Sequence, residues 1–485
     1  MVFALLISGC TVTPEVLTEG EIHMRATQDL HNMTQEQEPV TGPIDLYEAM
    51  ARALKYNLDV KVEVMKNMLA HQQLDLSHYD LLPRVVANAR YDVRSNFGGG
   101  KSQSLLTGQT SLEPSTGSER GVFSADLALS WDVLDFGLSY ILAQQAADDF
   151  LTAEEEKRRV ANRVMQEVRG AYWEAVSAER VLERLRLLGN GVQVALKQSR
   201  MIWERRLDSP LSSLQYQREL LATKGEIQKL YEKLSVAKIR LASLMNIQTG
   251  KSYQLVAPEK PEALPALKVN FEDWEYKALL NRPELRVLDY RKRINAKETN
   301  AALLELMPNL NLNVGGNYIS NKFLFHSNWL TYGTRVSWNL LNVFRQPARL
   351  KVIEAQEKVL DTQRLAMSMT ILAQVHVSVA RYAAIREKVV TAQQSYETQN
   401  QIMQQIRREW KVSRTSGQSL LREDMNTLLA ELRYESSLTE LQIAYADMLA
   451  AVGEDLLPVS IKKRSVQALT SALRTRWESL KELQG

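Results

Sequence analysis

The segment SWDVLDFG, Ser130 to Gly137, comes back 207 residues later as SWNLLNVF, Ser337 to Phe344. The same offset pairs Leu134 with Leu341, Val168 with Val375, Trp203 with Trp410 and finally Asn246 with Gly453. Upstream the offset is 225, pairing Ala53 and Leu54 with Ala278 and Leu279, Asp59 with Glu284 and Pro83 with Pro308. A duplication of this length constrains the fold more than any single motif, because each copy must build the same unit. The offsets differ by 18 residues, and that difference falls between the proline and the tryptophan. The first half carries the Gly-, Ser- and Thr-rich stretch Asn96 to Gly121 there and the second only Ser320 to Leu330, which reads as a variable loop.

Each half has one order: short helix, strand, loop, strand, long helix, turn, long helix. The expected division is a signal and polar linker over 1–43, a first repeat over 44–246, a proline-bearing linker over 247–268, a second repeat over 269–453 and a C-terminal extension over 454–485. The polar tail Thr11 to Pro43 and the inter-repeat segment read as extended linkers.

Four stretches alternate with period two. Arg84 to Arg94 sets Val85, Ala87, Ala89, Tyr91 and Val93 against Arg84, Val86, Asn88, Arg90, Asp92 and Arg94; Val122 to Val133 sets Phe123, Ala125, Leu127, Leu129, Trp131 and Val133 against Ser124, Asp126, Ala128, Ser130 and Asp132. Asn309 to Tyr318 opposes Leu310, Leu312, Val314 and Tyr318 to four asparagines, and Tyr332 to Leu340 opposes Trp338 and Leu340 to Arg335 and Asn339. A soluble sheet packed on a core would alternate in the same way. Three features favour lipid on one side and water on the other. The aromatic residues Tyr91, Trp131, Tyr318, Tyr332 and Trp338 stand towards strand ends, as in a membrane girdle; the polar face carries Arg, Asp and Asn; and no compact apolar domain remains to cover the sheet. Four strands cannot close a barrel whose smallest bacterial versions have about eight, so copies must combine, and three would supply about twelve.

Ser139 to Arg206 contains no proline, and as a helix those positions would span roughly 100 Å, too long for one globular domain. Leu182, Gly189, Leu196 and Trp203 step by seven, as do Val389, Tyr396, Met403 and Trp410, the spacing of coiled-coil packing. That phase passes through Gly189-Asn190-Gly191, so the helix is expected to continue there, with glycine allowing close approach. Turns are expected at Arg206 to Pro210 and Ser413 to Gly417, followed by antiparallel returns over Leu211 to Met245 and Gln418 to Val452. Asn246 and Gly453 would close these returns in a left-handed conformation. The polar surface outside each seam suits a solvated tube of hairpins.

A net charge of +3, from 60 basic and 57 acidic residues, provides no field for nucleic acid. No run of eighteen apolar residues exists for a membrane-spanning helix, which leaves a β-barrel open. The single cysteine, Cys10, follows the apolar run Val2 to Ile7 in Ile7-Ser8-Gly9-Cys10, a lipobox-like site at which the thiol would take a diacylglycerol; nothing basic precedes the run. His71 and His78, about two helical turns apart, read as surface residues. Gly98 to Ser102 (GGGKS) lacks the glycine and the helix of a phosphate loop. No nucleophile, base and orienter are brought together by the repeat, so no enzyme and no cofactor is expected.

The segments IDLYEAMARALKYNLDV and WEYKALLNRPELRV opening the halves, LLPRV and LMPNL before each first strand, SWDVLDFG before a long helix, and RLASLMN and DMLAAVG closing the hairpins together resemble the outer-membrane efflux proteins of the TolC type. The resemblance covers about residues 44 to 453. It implies an α+β membrane fold: a homotrimer with a twelve-stranded antiparallel β-barrel, four strands per chain, continuous with a long α-helical coiled-coil barrel of twelve helices. It also implies a passive exit duct in the outer membrane of a Gram-negative bacterium, held in outer-membrane lipid and docking to a periplasmic adaptor and an inner-membrane pump. The competing expectation is a structural coiled-coil protein of the cell envelope without channel activity. The layout would put both turns at the periplasmic entrance, with Arg205, Arg206, Asp208 and Pro210 on one tip and Arg414, Gly417, Arg422, Glu423 and Asp424 on the other. Pairs such as Asp208 with Arg414 could then hold the entrance shut. The chain departs from the family at the tips, where Arg206 and Ser413 replace frequent glycines and Ser419 and Arg422 replace frequent aspartates.

Overall fold

A computed structural model describes residues 14–33, 35, 37–111, 113–205, 209–248, 250–256, 270–412, 414–415, 417–454 and 465–482. Its elements in chain order are α1 (Glu19–Asn32), α2 (Leu46–Tyr56), α3 (Leu58–Tyr79), β1 (Arg84–Val93), β2 (Gly121–Asp132), α4 (Val133–Glu204) and α5 (Pro210–Leu244), then α6 (Phe271–Asn281), α7 (Pro283–Leu304), β3 (Asn309–Ile319), β4 (Asn328–Ser337), α8 (Asn342–Lys411), α9 (Gly417–Ala451) and α10 (Val466–Glu482). The chain divides into a helical unit (1–62, 160–281 and 373–485) and a sheet-bearing unit (63–159 and 282–372).

In the helical unit α4 runs unbroken through Gly189 and Gly191. A Cβ at Gly189 would lie 3.6 Å from Ile227 of α5, and one at Gly191 only 3.3 Å from Leu421 of α9, so the missing side chains admit the two neighbouring helices. The core follows from that approach: Val181, Leu185, Leu188 and Val192 of α4 pack with Leu220, Ile227 and Leu234 of α5 and with Met425, Leu428 and Leu432 of α9. The seven-residue seam is buried at Leu196, Val389 and Met403, but Trp203 and Trp410 are 46% and 50% exposed, so it ends one seven-residue step, about two helical turns, earlier than its spacing implies. Charged flanks follow the same period. Arg381 meets Asp447 at 3.2 Å and, seven residues along, Lys388 meets Glu440 at 2.6 Å, the pattern of an antiparallel α8–α9 pair. Asn246 (φ 56°) and Gly453 (φ 80°) close the return helices as expected. In both, the next amide bonds back over the turn, Ile247 to Ala242 and Glu454 to Leu449, satisfying a carbonyl that the helix end would leave open.

One segment expected to be an extended linker and the C-terminal extension, for which no element was expected, both contain a helix. The N-terminal tail contains α1, started by Thr18 and Glu21, whose hydroxyl and carboxylate each accept the other's backbone N–H. The C-terminal extension contains α10, which buries Val466, Leu473, Trp477 and Leu480. The Trp477 ring lies between the Arg169 guanidinium of α4, 3.7 Å from its centroid, and the edge of Tyr445 of α9, 5.5 Å away, while Arg474 pairs with Asp45 at the cap of α2.

In the sheet-bearing unit the four strands pair antiparallel in the order β1-β2-β3-β4. The fourth strand lies earlier than Tyr332 to Leu340. It pairs from Asn328, opposite Tyr318, to Ser337, opposite Asn309. Trp338 leaves the ladder because its indole N–H donates to the Leu306 carbonyl at 3.0 Å, and Asn339 then forms the turn into α8. In the same unit α4 and α7 meet at Asp148, whose side chain is 2% exposed and accepts from Arg293 and, at 2.6 Å, from Lys297. Burial alone would raise this carboxyl; the two cations hold it below the ordinary carboxylate range. Its stabilisation is therefore present above the unfolded-state pKa and fades as pH falls through the folded value. Asp148→Ala leaves two cations facing an empty site and is expected to cost about 3 kcal/mol, read as a lower thermal midpoint in detergent. A variant melting with wild type would show that the triad contributes nothing.

Candidate membrane face and assembly edge

Register sorts every strand residue onto one of two faces. Val85, Leu129, Val314 and Tyr332 form one apolar row, Ala87, Leu127, Gly316 and Leu330 the next, and Ala89, Ala125, Tyr318 and Asn328 the third. Thirteen large apolar side chains on this face are exposed, from Leu310 at 37% to Tyr332 at 73%. A soluble chain rarely leaves so broad a patch uncovered. The opposite face is a polar ladder. Asn88 donates to Asp126 at 2.9 Å, Asn309 and Asn311 both donate to Asp132 at 2.9 Å, Asn317 donates to Thr331 at 3.1 Å, and Arg90 pairs with Asp92 at 2.5 Å. A Cβ at Gly333 would sit 2.6 Å from the Asn313 amide, so this glycine gives the ladder its room.

The aromatic residues fall into two bands with one exception. Tyr91 pairs with Phe123, which the sequence reading left outside the girdle, and Tyr318 lies one row away. Trp131, stacked edge-on against Phe136 at 5.8 Å, and Trp338 mark the other end. Phe123 and Trp131 are eight residues apart on β2, about 27 Å along the strand and nearer 20 Å once tilted as in a barrel, close to the height of an apolar membrane band. Tyr332 lies between the bands, opposite Val314.

Among the described residues both outer strands have one neighbour only, so β1 and β4 each present a free backbone edge ten residues long. Such edges template further pairing. Two helices of the same unit also carry uncovered apolar stripes at coiled-coil spacing, Met65, Leu69 and Leu76 on α3 and Val352, Val359 and Met369 on α8.

The hairpin tips belong to the helical unit. Arg205 follows the end of α4, Pro210 begins α5 and Gly417 begins α9. The Arg414 amide donates to the Glu409 carbonyl at 2.9 Å. Arg422 pairs with Glu219 of α5 at 2.8 Å, Glu423 accepts from Gln399 of α8 at 2.7 Å, and Asp424 meets Arg407 of α8 at 3.2 Å. These three side chains thus bind neighbouring helices of their own chain. Arg206, Asp208 and Cys10 lie outside the described residues, and with Asp208 so does its pairing with Arg414. His71 contacts Asp75 at 3.1 Å and stacks edge-on against Phe150, and no metal-ligating cluster occurs among the described residues. Gly98 to Ser102 belongs to the loop after β1, where Gly100 bridges Ser115.

No protein-family model and no curated protein matches the sequence. Solved structures do match its fold. The CmeC outer-membrane channel of Campylobacter jejuni aligns over 95% of this chain and 98% of its own, with a TM-score of 0.66 and 15% identity. The open state of the Neisseria gonorrhoeae MtrE outer-membrane channel aligns over 84% and 88%, with a TM-score of 0.63 and 16% identity. The outer-membrane channel OprN aligns over 84% and 90%, with a TM-score of 0.63 and 18% identity. The chain has the fold of the TolC-type outer-membrane efflux channels.

Proposed function

We propose that the chain is the outer-membrane duct of a tripartite export system, a passive channel assembled from three copies. The observation that carries this reading is a sheet with one uncovered apolar face, one polar face and two free edges. Lipid covers the apolar face, water fills the polar side, and β4 of one copy pairs with β1 of the next until twelve strands close. The stripes on α3 and α8 pack between copies below the barrel, and the channel identity of the matched structures supports the same assembly. A coiled-coil scaffold would leave the apolar sheet face without a partner. The charged hairpin tips form the entrance that meets a periplasmic adaptor and, through it, an inner-membrane pump. Cys10 is the acylated N-terminus of the mature chain in this reading. The purified protein is expected to run in detergent at the mass of three copies and to open uniform single-channel conductances in planar bilayers. A monomer without conductance would overturn the proposal.

A further inference from the structure

One aromatic side chain breaks the polar face. Trp329 pairs with Asn317, and the same row continues through Asp126 to Asn88. Among the described strand residues it is the only aromatic on that face, and it is 40% exposed. The Asp126 carboxylate accepts from the neutral Asn88 amide at 2.9 Å, whereas the nearby cation Arg90 is matched by Asp92. Asp126 therefore holds the net charge of this part of the face. It stands on β2 and Trp329 on β4, two inter-strand spacings or about 10 Å apart. That separation suits a flat, polycyclic cation with its ring on the indole and its charge towards the carboxylate, since an indole face attracts cations and stacks with planar rings.

We infer that the Asp126–Trp329 row is a contact site for planar aromatic cations inside the duct. The inference rests on the proposed channel reading, which makes this face the lumen. In a threefold assembly the site occurs three times at one level of the barrel. N-methylacridinium, added to single channels of the whole protein in planar bilayers, is the probe, and uncharged acridine at alkaline pH is its neutral counterpart. Block by the cation is expected to need about tenfold more probe in Trp329→Ala, and to stay near wild type in Trp329→Phe, which keeps a ring. Asp126→Asn is expected to weaken block by the cation and leave that by acridine unchanged. Channels that conduct but are blocked equally in wild type and in all three variants would overturn the site and leave the duct intact. Absence of any conductance would overturn the duct reading and the site with it.

Discussion

Leu127→Arg is expected to abolish assembly in the outer membrane, while Ala128→Arg, one residue along the same strand, is tolerated. Leu127 lies in the central apolar row, opposite Ala87 and Gly316, and is 57% exposed; Ala128 points to the other face of the sheet, in a row of small and apolar residues with Val86 and Gly315 between the polar rows of Asp126 and Ser130. An arginine on the lipid face near mid-membrane costs about 2–4 kcal/mol per copy, and threefold symmetry makes that about 6–12 kcal/mol per assembly, enough to exhaust an ordinary stability margin. On the wet face the same side chain reaches water at little cost. Detergent-extracted trimer from membranes of cells expressing each variant is the measurement. Equal yields of the two would mean that the faces do not differ in environment.

Trp477→Ala is expected to destabilise the helical unit by about 3–5 kcal/mol, the range for removing a buried aromatic side chain. The ring is 1% exposed, and its loss opens a cavity against Tyr445 and takes away the surface on which Arg169 rests. Trp477→Phe keeps part of that packing and should fall between. Thermal unfolding followed by helical circular dichroism in detergent reads both. Coincident melts for Trp477→Ala and wild type would show that α10 is an appendage and not part of the core.

The repeat was legible because two sets of physical constraints act twice on one chain. Period-two alternation at Val85 to Val93 and Phe123 to Trp131 gave strands within a residue of their ends, and Asn246 and Gly453 marked their helix ends because few residues tolerate a positive φ. β4 was misplaced by the ladder itself. Nothing local distinguishes Asn328 to Leu330 from the loop before them; their place is set by pairing with Tyr318 to Gly316 across the hairpin. The same shift hid Trp329, which becomes a polar-face residue only once the register is known. The polarity of the N-terminal tail points to a linker, while Thr18 and Glu21 within it have the spacing of the reciprocal cap that starts α1. For α10 the apolar residues Val466, Leu469, Leu473, Trp477 and Leu480 kept a helical period, but the surface that buries them comes from α2, α4 and α9, which no local pattern announces. The tip charges Arg422, Glu423 and Asp424 were identifiable as residues, and their partners Glu219, Gln399 and Arg407 were not, because those contacts depend on how three helices align.

In the proposed channel the two faces of one sheet meet lipid and water. Spin labels placed singly at Leu127→Cys and Ser124→Cys, with Cys10 replaced by serine and the protein reconstituted in bilayers, test it directly by collision accessibility. The label at 127 is expected to collide with membrane-dissolved oxygen and to be shielded from a water-soluble nickel chelate, and the label at 124 to do the reverse. Equal access of the nickel chelate to both positions would contradict it.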